Sequence, residues 1–367
     1  MPANKTIIVS VTTDLSTDQR VQKIASSLST NGFAVTLVGR KRKSSLNFAP
    51  KDYRQKRFNL LCNSGFLFYA CFNIRLFFYL LFSKVDILYA NDLDTLPANF
   101  LVSKLKKVPL IYDSHEYFTE VPELIHRKRV KAFWESIESY ILPKLDYCIT
   151  VGEMIAKEYA QKYKKEFLVV RNFPIKNNKS HTSKKKRQII YQGALNVGRG
   201  IEHVIQAMTF VDEAVFLIAG DGDIKEELVS LRNKLELQEK VKFLGRLSPQ
   251  ELIKHTQASL LGVSLEEKLG KNYTYALPNK LFDYLNTRTP ILYSDLIEFK
   301  KLIGKVEIGE ELMSRDPEAM GNQINEMLVS NKLDLWSENC SALAERFTWR
   351  NEEVKLIQLI NKASQRA

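Results

Sequence analysis

Residues 6–39 read TIIVSVTTDLSTDQRVQKIASSLSTNGFAVTLVG. TIIVSV (6–11) is apolar and β-branched without polar alternation, the pattern of a strand buried on both faces. TTDLSTDQRV leads into a helical stretch ending at Leu28, with Asn31-Gly32 as its stop. FAVTLVG (33–39) is the next strand. VDILYAND (85–92), VPLIYDSHE (108–116), LDYCITV (145–151) and FLVVRNFP (167–174) repeat the pattern. Continuous apolar strands alternating with helices predict a parallel α/β sheet covered on both faces. Functional groups in such folds gather at the carboxyl ends of the strands. That places Asp14, Asn91, Asp92, Asp113, His115 and Glu116 on one rim.

The second half restarts the alternation with RQIIYQG (187–193), AVFLIAGDG (214–222), KVKFLG (240–245), ASLLGVS (258–264) and PILYS (290–294). Between the halves, IKNNKSHTSKKKR (175–187) is polar, basic and free of aromatics, and reads as a linker that includes the KKKR run. A chain of 367 residues exceeds one hydrophobic core and fits two domains. Two α/β domains joined by one linker predict a cleft between them as the place for a substrate.

Composition narrows the function. Hydrophobic residues make up 45% and charged residues 26%, which excludes wholesale disorder. The four cysteines lack a CxxC pair, which excludes a disulfide scaffold and a thiolate zinc site and suits a reducing compartment. MPANKTIIVSV reads as a first strand and not a signal peptide, so the expected location is the cytoplasm. Residues 1–170 carry 25 basic and 16 acidic side chains, a net +9, whereas residues 188–367 carry 22 and 26, a net −4. A basic first half attracts anionic partners. Without basic residues interleaved with stacking aromatics, nucleic acid is not among those expected.

Residues 66–82, FLFYACFNIRLFFYLLF, predict a helix of roughly 26 Å, short for a bilayer, with Asn73 and Arg75 near its middle. It reads as a helix packed against the sheet or as a shallow element docking on an anionic membrane surface, and a buried face with an exposed rim would allow both. The basic cluster Lys41, Arg42, Lys43, Lys51, Arg54, Lys56 and Arg57 would flank it.

Two strings carry chemistry. YQGALNVGRG (191–200) is a strand, a glycine turn and a helix opening at Arg199-Gly200. Backbone N–H groups at a helix start beside a guanidinium suit a phosphate. LPNKLFDYL (277–285) places Pro278 and Lys280 in the opening turn of a helix and Asp283 one turn later. A lysine there opposes the helix dipole and calls for an accompanying anion. Asp283 can accept hydrogen bonds from sugar or ribose hydroxyls, or face solvent.

These strings, with IAGDG (218–222), VKFLGRLSPQEL (241–252), TTDLSTDQRV, IYDSHE and FTWRNEEV, resemble the retaining glycosyltransferases of family 4 (glycosyl transferases group 1) over nearly the whole chain. The resemblance implies the GT-B fold, with two Rossmann-like domains facing each other across a cleft. It implies an acceptor-side domain at 1–174, a linker at 175–187, a donor domain at 188–346, and a closing helix at 347–367 that crosses back to the first domain. The expected substrates are a nucleoside-diphosphate-sugar and a saccharide acceptor, lipid-linked and destined for cell-surface polysaccharide, with no metal. Carried over by position, Arg199 and Lys280 would bind the diphosphate, and Gly193 and Gly200 would let the backbone approach. Gly220, Gly245, Arg246 and Asn279 would border the nucleotide, and Asp283 would hold its ribose. His115 would reach the transferred sugar, with Asp113 and Glu116 supporting it or joining Asp14, Asp18 and Asp92 on the acceptor side.

The sequence departs from the family pattern twice. Of two glutamates usually eight residues apart, the second is Asp283 and the first falls on Tyr275, and an arginine common after the glycine of the donor turn is Ala194. Competing readings are an Asp-x-Asp metal site at Asp92-Leu93-Asp94, a nucleotide-sugar epimerase, and a non-catalytic nucleotide-sugar-binding partner of another transferase.

Overall fold

The computed structural model describes residues 5–16, 18–43, 45, 50–121, 124, 127–175 and 184–366. Most of the linker, residues 176–183, lies outside the described residues. The chain divides into two units, Met1–Asn172 with Arg350–Ala367, and Phe173–Trp349.

The first unit contains β1 (Thr6–Asp14), α1 (Gln19–Thr30), β2 (Ala34–Lys41), β3 (Arg54–Asn59), α2 (Gly65–Phe82), β4 (Ile87–Asn91) and α3 (Leu96–Lys106). It continues through β5 (Leu110–Ser114), α4 (Lys128–Ile141), β6 (Tyr147–Thr150), α5 (Glu153–Tyr163) and β7 (Leu168–Val169). Its strands form one parallel sheet in the order β3-β2-β1-β4-β5-β6-β7. The order reverses between β1 and β4. In open α/β sheets that reversal opens a crevice at the carboxyl ends of the strands.

The second unit contains β8 (Lys186–Gln192), α6 (Ile201–Ala207), β9 (Val215–Ala219), α7 (Lys225–Lys234), β10 (Val241–Gly245), α8 (Pro249–Ala258) and β11 (Ser259–Ser264). After these come α9 (Gly270–Thr274), α10 (Asn279–Asn286), β12 (Ile291–Tyr293), α11 (Ile297–Ile303), β13 (Gly309–Glu311), α12 (Pro317–Leu328) and α13 (Leu333–Arg346). The order β10-β9-β8-β11-β12-β13 reverses between β8 and β11, and all these pairs are parallel. Successive residues of β8 and β9 enter different cores. Ile189, Tyr191, Phe216 and Ile218 face one helical layer, while Ile190 and Leu217 face the other. Two covered faces explain why these strands read as unbroken apolar runs.

The last helix, α14 (Trp349–Ser364), contributes to the first unit from Arg350 onward. Its Glu352 accepts a hydrogen bond from the Arg171 backbone N–H at 2.9 Å, and the Ser364 carbonyl accepts one from Lys5 Nζ.

The structure corrects two readings of the sequence. KKKR is not wholly linker: Lys186 and Arg187 open β8, and Lys185 Nζ donates to the Ser259 carbonyl at 2.9 Å. Arg57 does not belong to an exterior basic cluster, because its side chain is only 6% exposed and turns toward Asp14 at 3.9 Å. The helix expected at 66–82 is present as α2. Its stripe Phe68, Phe72, Leu76 and Leu80 is buried, spaced by one turn as packing on a sheet requires.

Candidate functional site

In the second unit the carboxyl ends of β8, β9 and β10 are laced together. Gly193 N–H donates to the Ala219 carbonyl at 3.0 Å, and Gly220 N–H donates to the Gly245 carbonyl at 2.8 Å. Gly220 has φ +154°, and a Cβ there would lie 1.8 Å from the Gly193 oxygen, so no larger residue fits. Gly200 directly precedes α6, as the sequence predicted. Arg246 is exposed and pairs with Asp221 at 3.3 Å.

Asn279 opens α10 and Lys280 follows in its first turn. One turn on, Tyr284 donates its hydroxyl proton to the carbonyls of Ile190 (3.0 Å) or Val263 (3.1 Å), which pins the helix across β8 and β11. Lys280 is thereby held inward. The anion its position called for comes from this chain: Lys280 Nζ lies 2.8 Å from Glu266 Oε1, and Arg199 reaches the same oxygen at 3.5 Å. The other carboxylate oxygen accepts from Ser264 Oγ at 2.7 Å. Burial pushes the Glu266 carboxyl up, but Lys280 and Arg199 outweigh it and hold it below its ordinary value. The ammonium also sits 4.1 Å from the Tyr191 ring, and the guanidinium 4.7 Å from that of Tyr273. Two cations against one carboxylate leave the cluster net positive. Arg199 Nε is buried without a hydrogen-bond partner.

Glu266 escaped the sequence reading. Counting eight residues back from Asp283 lands on Tyr275, which caps the C-terminus of the short α9. The buried carboxylate lies farther back, just past the strand at the sheet's reversal. That position is the signal that could have found it. Ala194 presents its carbonyl to the Tyr191 hydroxyl at 2.7 Å. Asp283 is not a free solvent-facing carboxylate: Gln192 Nε2 donates to it at 2.6 Å, and Gln192 accepts in turn from Thr256 at 2.9 Å.

In the first unit the structure brings His115, Asp92, Asp113 and Asn91 together at the ends of β4 and β5. The His115 backbone N–H donates to Asp92 at 2.8 Å. Its ring Nδ1 lies 3.3 Å from Asp92, and Nε2 lies 3.0 Å from Asn91 Oδ1 and 3.4 Å from Asp113. Burial works against the imidazolium, but the two carboxylates prevail and raise its pKa to about 9. Asp113 is fully buried, which leaves it a supporting place and none on an acceptor surface. It accepts two hydrogen bonds from Arg20 (2.8 and 3.0 Å) and one from the Tyr89 hydroxyl (2.8 Å). Despite burial, Arg20 and His115 hold its carboxyl well below the usual range. Arg20, on α1, is the second residue the sequence reading missed.

The remaining rim residues have separate partners. Asp94 accepts from Thr12 Oγ1 at 2.5 Å, and burial followed by the charge of Asp92 pushes its pKa up to about 8. The Asp-x-Asp carboxylates are thus engaged apart, one with His115 and one with Thr12. Asp14 accepts from Ser16 and from Ser45 Oγ. Asp18 caps α1 by accepting from the Val21 N–H at 3.2 Å. Glu116 has an exposed side chain, and its carbonyl accepts from Ser114 Oγ at 2.7 Å.

Residues 18–173 match the family model Glycosyltransferase Family 4, and residues 172–342 match Glycosyl transferases group 1. The chain is a glycosyltransferase of the GT-B fold. Sucrose-phosphate synthase from Thermosynechococcus elongatus superposes on the transferase with a TM-score of 0.80 at 14% identity, covering 99% of this chain and 100% of that one. Anabaena HepE in complex with UDP and glucose gives 0.72 at 14% identity, covering 98% and 100%. WaaG, a glycosyltransferase involved in lipopolysaccharide biosynthesis, gives 0.70 at 13% identity, covering 95% and 97%. No curated protein matches the transferase in sequence.

Proposed function

We propose that the transferase moves a sugar from a nucleoside-diphosphate-sugar to a saccharide acceptor with retention of configuration. The observation that carries this reading is the meeting of Lys280 and Arg199 on one oxygen of Glu266, beside the glycine turn where β8 and β11 part. A leaving nucleoside diphosphate gains negative charge on its β-phosphate. Fixed cations stabilise that charge more strongly at the transition state than in the ground state. Asp283, braced by Gln192, is suited to ribose hydroxyls, and Gly193 keeps the approach to Lys280 open.

His115, held cationic between Asp92 and Asp113 with both ring nitrogens engaged, would offer its positive charge, and not a free N–H, to a hydroxyl of the transferred sugar. In a front-face reaction the departing phosphate takes the acceptor proton, so no protein base is required. The acceptor in this reading is a lipid-linked saccharide of the cell surface. The complexes of HepE with UDP and with UDP-glucose, and the lipopolysaccharide role of WaaG, favour a nucleotide-sugar donor and a glycan acceptor.

Lys280→Ala and Arg199→Ala should each lower turnover at least ten-fold, and about 10²–10³-fold if each acts as a full oxyanion donor. Release of nucleoside diphosphate from a panel beginning with UDP-glucose measures this, with thermal melts confirming the fold. Full activity in both variants removes the diphosphate assignment.

A further inference from the structure

A second cationic feature lies at the other end of the first sheet, where β5 and β6 begin. A cavity of about 360 Å³ is lined there by Lys104, Lys107, Lys144 and Arg366, with Phe100 as an apolar wall and Asp146 as its carboxylate. The volume falls at the small end of the range for small-molecule sites, roughly 300–1,000 Å³. Asp146 is engaged by Arg366 at 3.5 Å. Among the described residues the three lysines have no carboxylate partner; Lys144 Nζ lies 3.0 Å from the Tyr140 ring centre and Lys104 Nζ 5.4 Å from that of Phe100.

The cavity adjoins an uncovered apolar face. On α2, Phe66, Leu67, Ile74, Phe78 and Phe82 are each at least 53% exposed, opposite the stripe that packs on the sheet. Leu101 and Leu105 extend this surface along α3, the helix that supplies Lys104. Phe66 meets Phe133 of α4 at 5.6 Å between ring centres, and Phe100 meets Tyr140 of α4 at 6.3 Å, so the three helices join. Neither α2 nor α3 contains an aspartate or glutamate. Exposed aromatics and leucines beside an unpaired lysine cluster match the interface of an anionic bilayer, apolar below and phosphate-bearing above.

We propose that the outer face of α2, α3 and α4 seats on an anionic lipid bilayer, and that the cavity at its edge takes the phosphate of a lipid headgroup. The inference is independent of the transfer reaction, since binding is read without donor or acceptor. The test is sedimentation of the full chain with phosphatidylcholine vesicles with and without phosphatidylglycerol. The wild type should sediment with the anionic vesicles alone, and release at high salt. Each neutralised lysine near the surface should weaken partition about five-fold, so Lys104→Gln with Lys144→Gln should weaken it about 25-fold. Phe78→Ser with Phe82→Ser should also weaken it. Lys234→Gln with Lys254→Gln removes the same charge from the second unit and should change it little. Sedimentation that is equal for both lysine pairs, indifferent to the phenylalanines, or absent in the wild type overturns the proposal. So does stabilisation of the wild type by glycerol 3-phosphate without vesicle binding, which would make the cavity a site for a soluble phosphate. Thermal melts of each variant exclude loss of fold as the cause.

Discussion

Glu266 is a buried anion shared by two cations, and its removal strands them. Lys280 is 7% exposed, so Glu266→Gln leaves a buried ammonium without its carboxylate. The expected cost is about 3–5 kcal/mol of stability, with turnover falling at least ten-fold, read by thermal melts and steady-state kinetics. The rim of the first unit is sensitive to pH. The His115 cation is stabilised by its carboxylates in full below its ordinary value of 6.5, and that stabilisation is lost as pH rises through about 9. Asp94, pushed up to about 8, has a folded pKa above its unfolded value, so it costs stability increasingly from about pH 4 to pH 8. Asp94→Asn should therefore match the parent near pH 4, gain in melting temperature up to pH 8, and gain no further above it. Arg199, Lys280 and His115 were legible because each flanks a strand or opens a helix within a short string. Glu266 and Arg20 were not, because each works through a partner that folding supplies; Arg20 and Asp113 are 93 residues apart in sequence.

The strands buried on both faces could be read from their apolar runs, and so could the helices α1, α2 and α10 from stops, length and opening turn. Two of the four edge strands could not, although β7 and β10, also at the edges, could. β3 (RQKRFN) and β13 (GEE) lie at the sheet margins, where a polar sequence is tolerated and resembles a loop. The short α9 was invisible for a related reason: five residues carry too little periodicity, and it lies between Glu266 and Asp283. The aspartate at position 18 belongs to this scale, because it fastens the first turn of α1 beside the rim. Asp18→Ala should cost about 1 kcal/mol by chemical denaturation. Turnover should fall less than in the Lys280 and Arg199 variants if capping is its whole duty.

The chain passes from the first unit to the second near Asn172 and returns near Trp349. The uneven charge follows the same division, with the excess positive charge in residues 1–187 and a net negative stretch after them. Leu356, Ile360 and Ala363 of α14 are fully buried, so truncation after Trp349 removes core from the first unit while leaving the second intact. Each large side chain lost should cost about 1.5–3 kcal/mol. Hydrogen exchange should show protection falling in β1–β7 and persisting in β8–β13. The return of the chain also sets an order of assembly during synthesis. The ribosome must finish the whole second unit, 177 residues from Phe173 to Trp349, before the final helix of the first emerges. At common elongation speeds that delay is roughly 10–35 s. For that interval the nascent amino-terminal lobe lacks its last piece, and the carboxyl-terminal lobe, started later, is the first to have all of its residues.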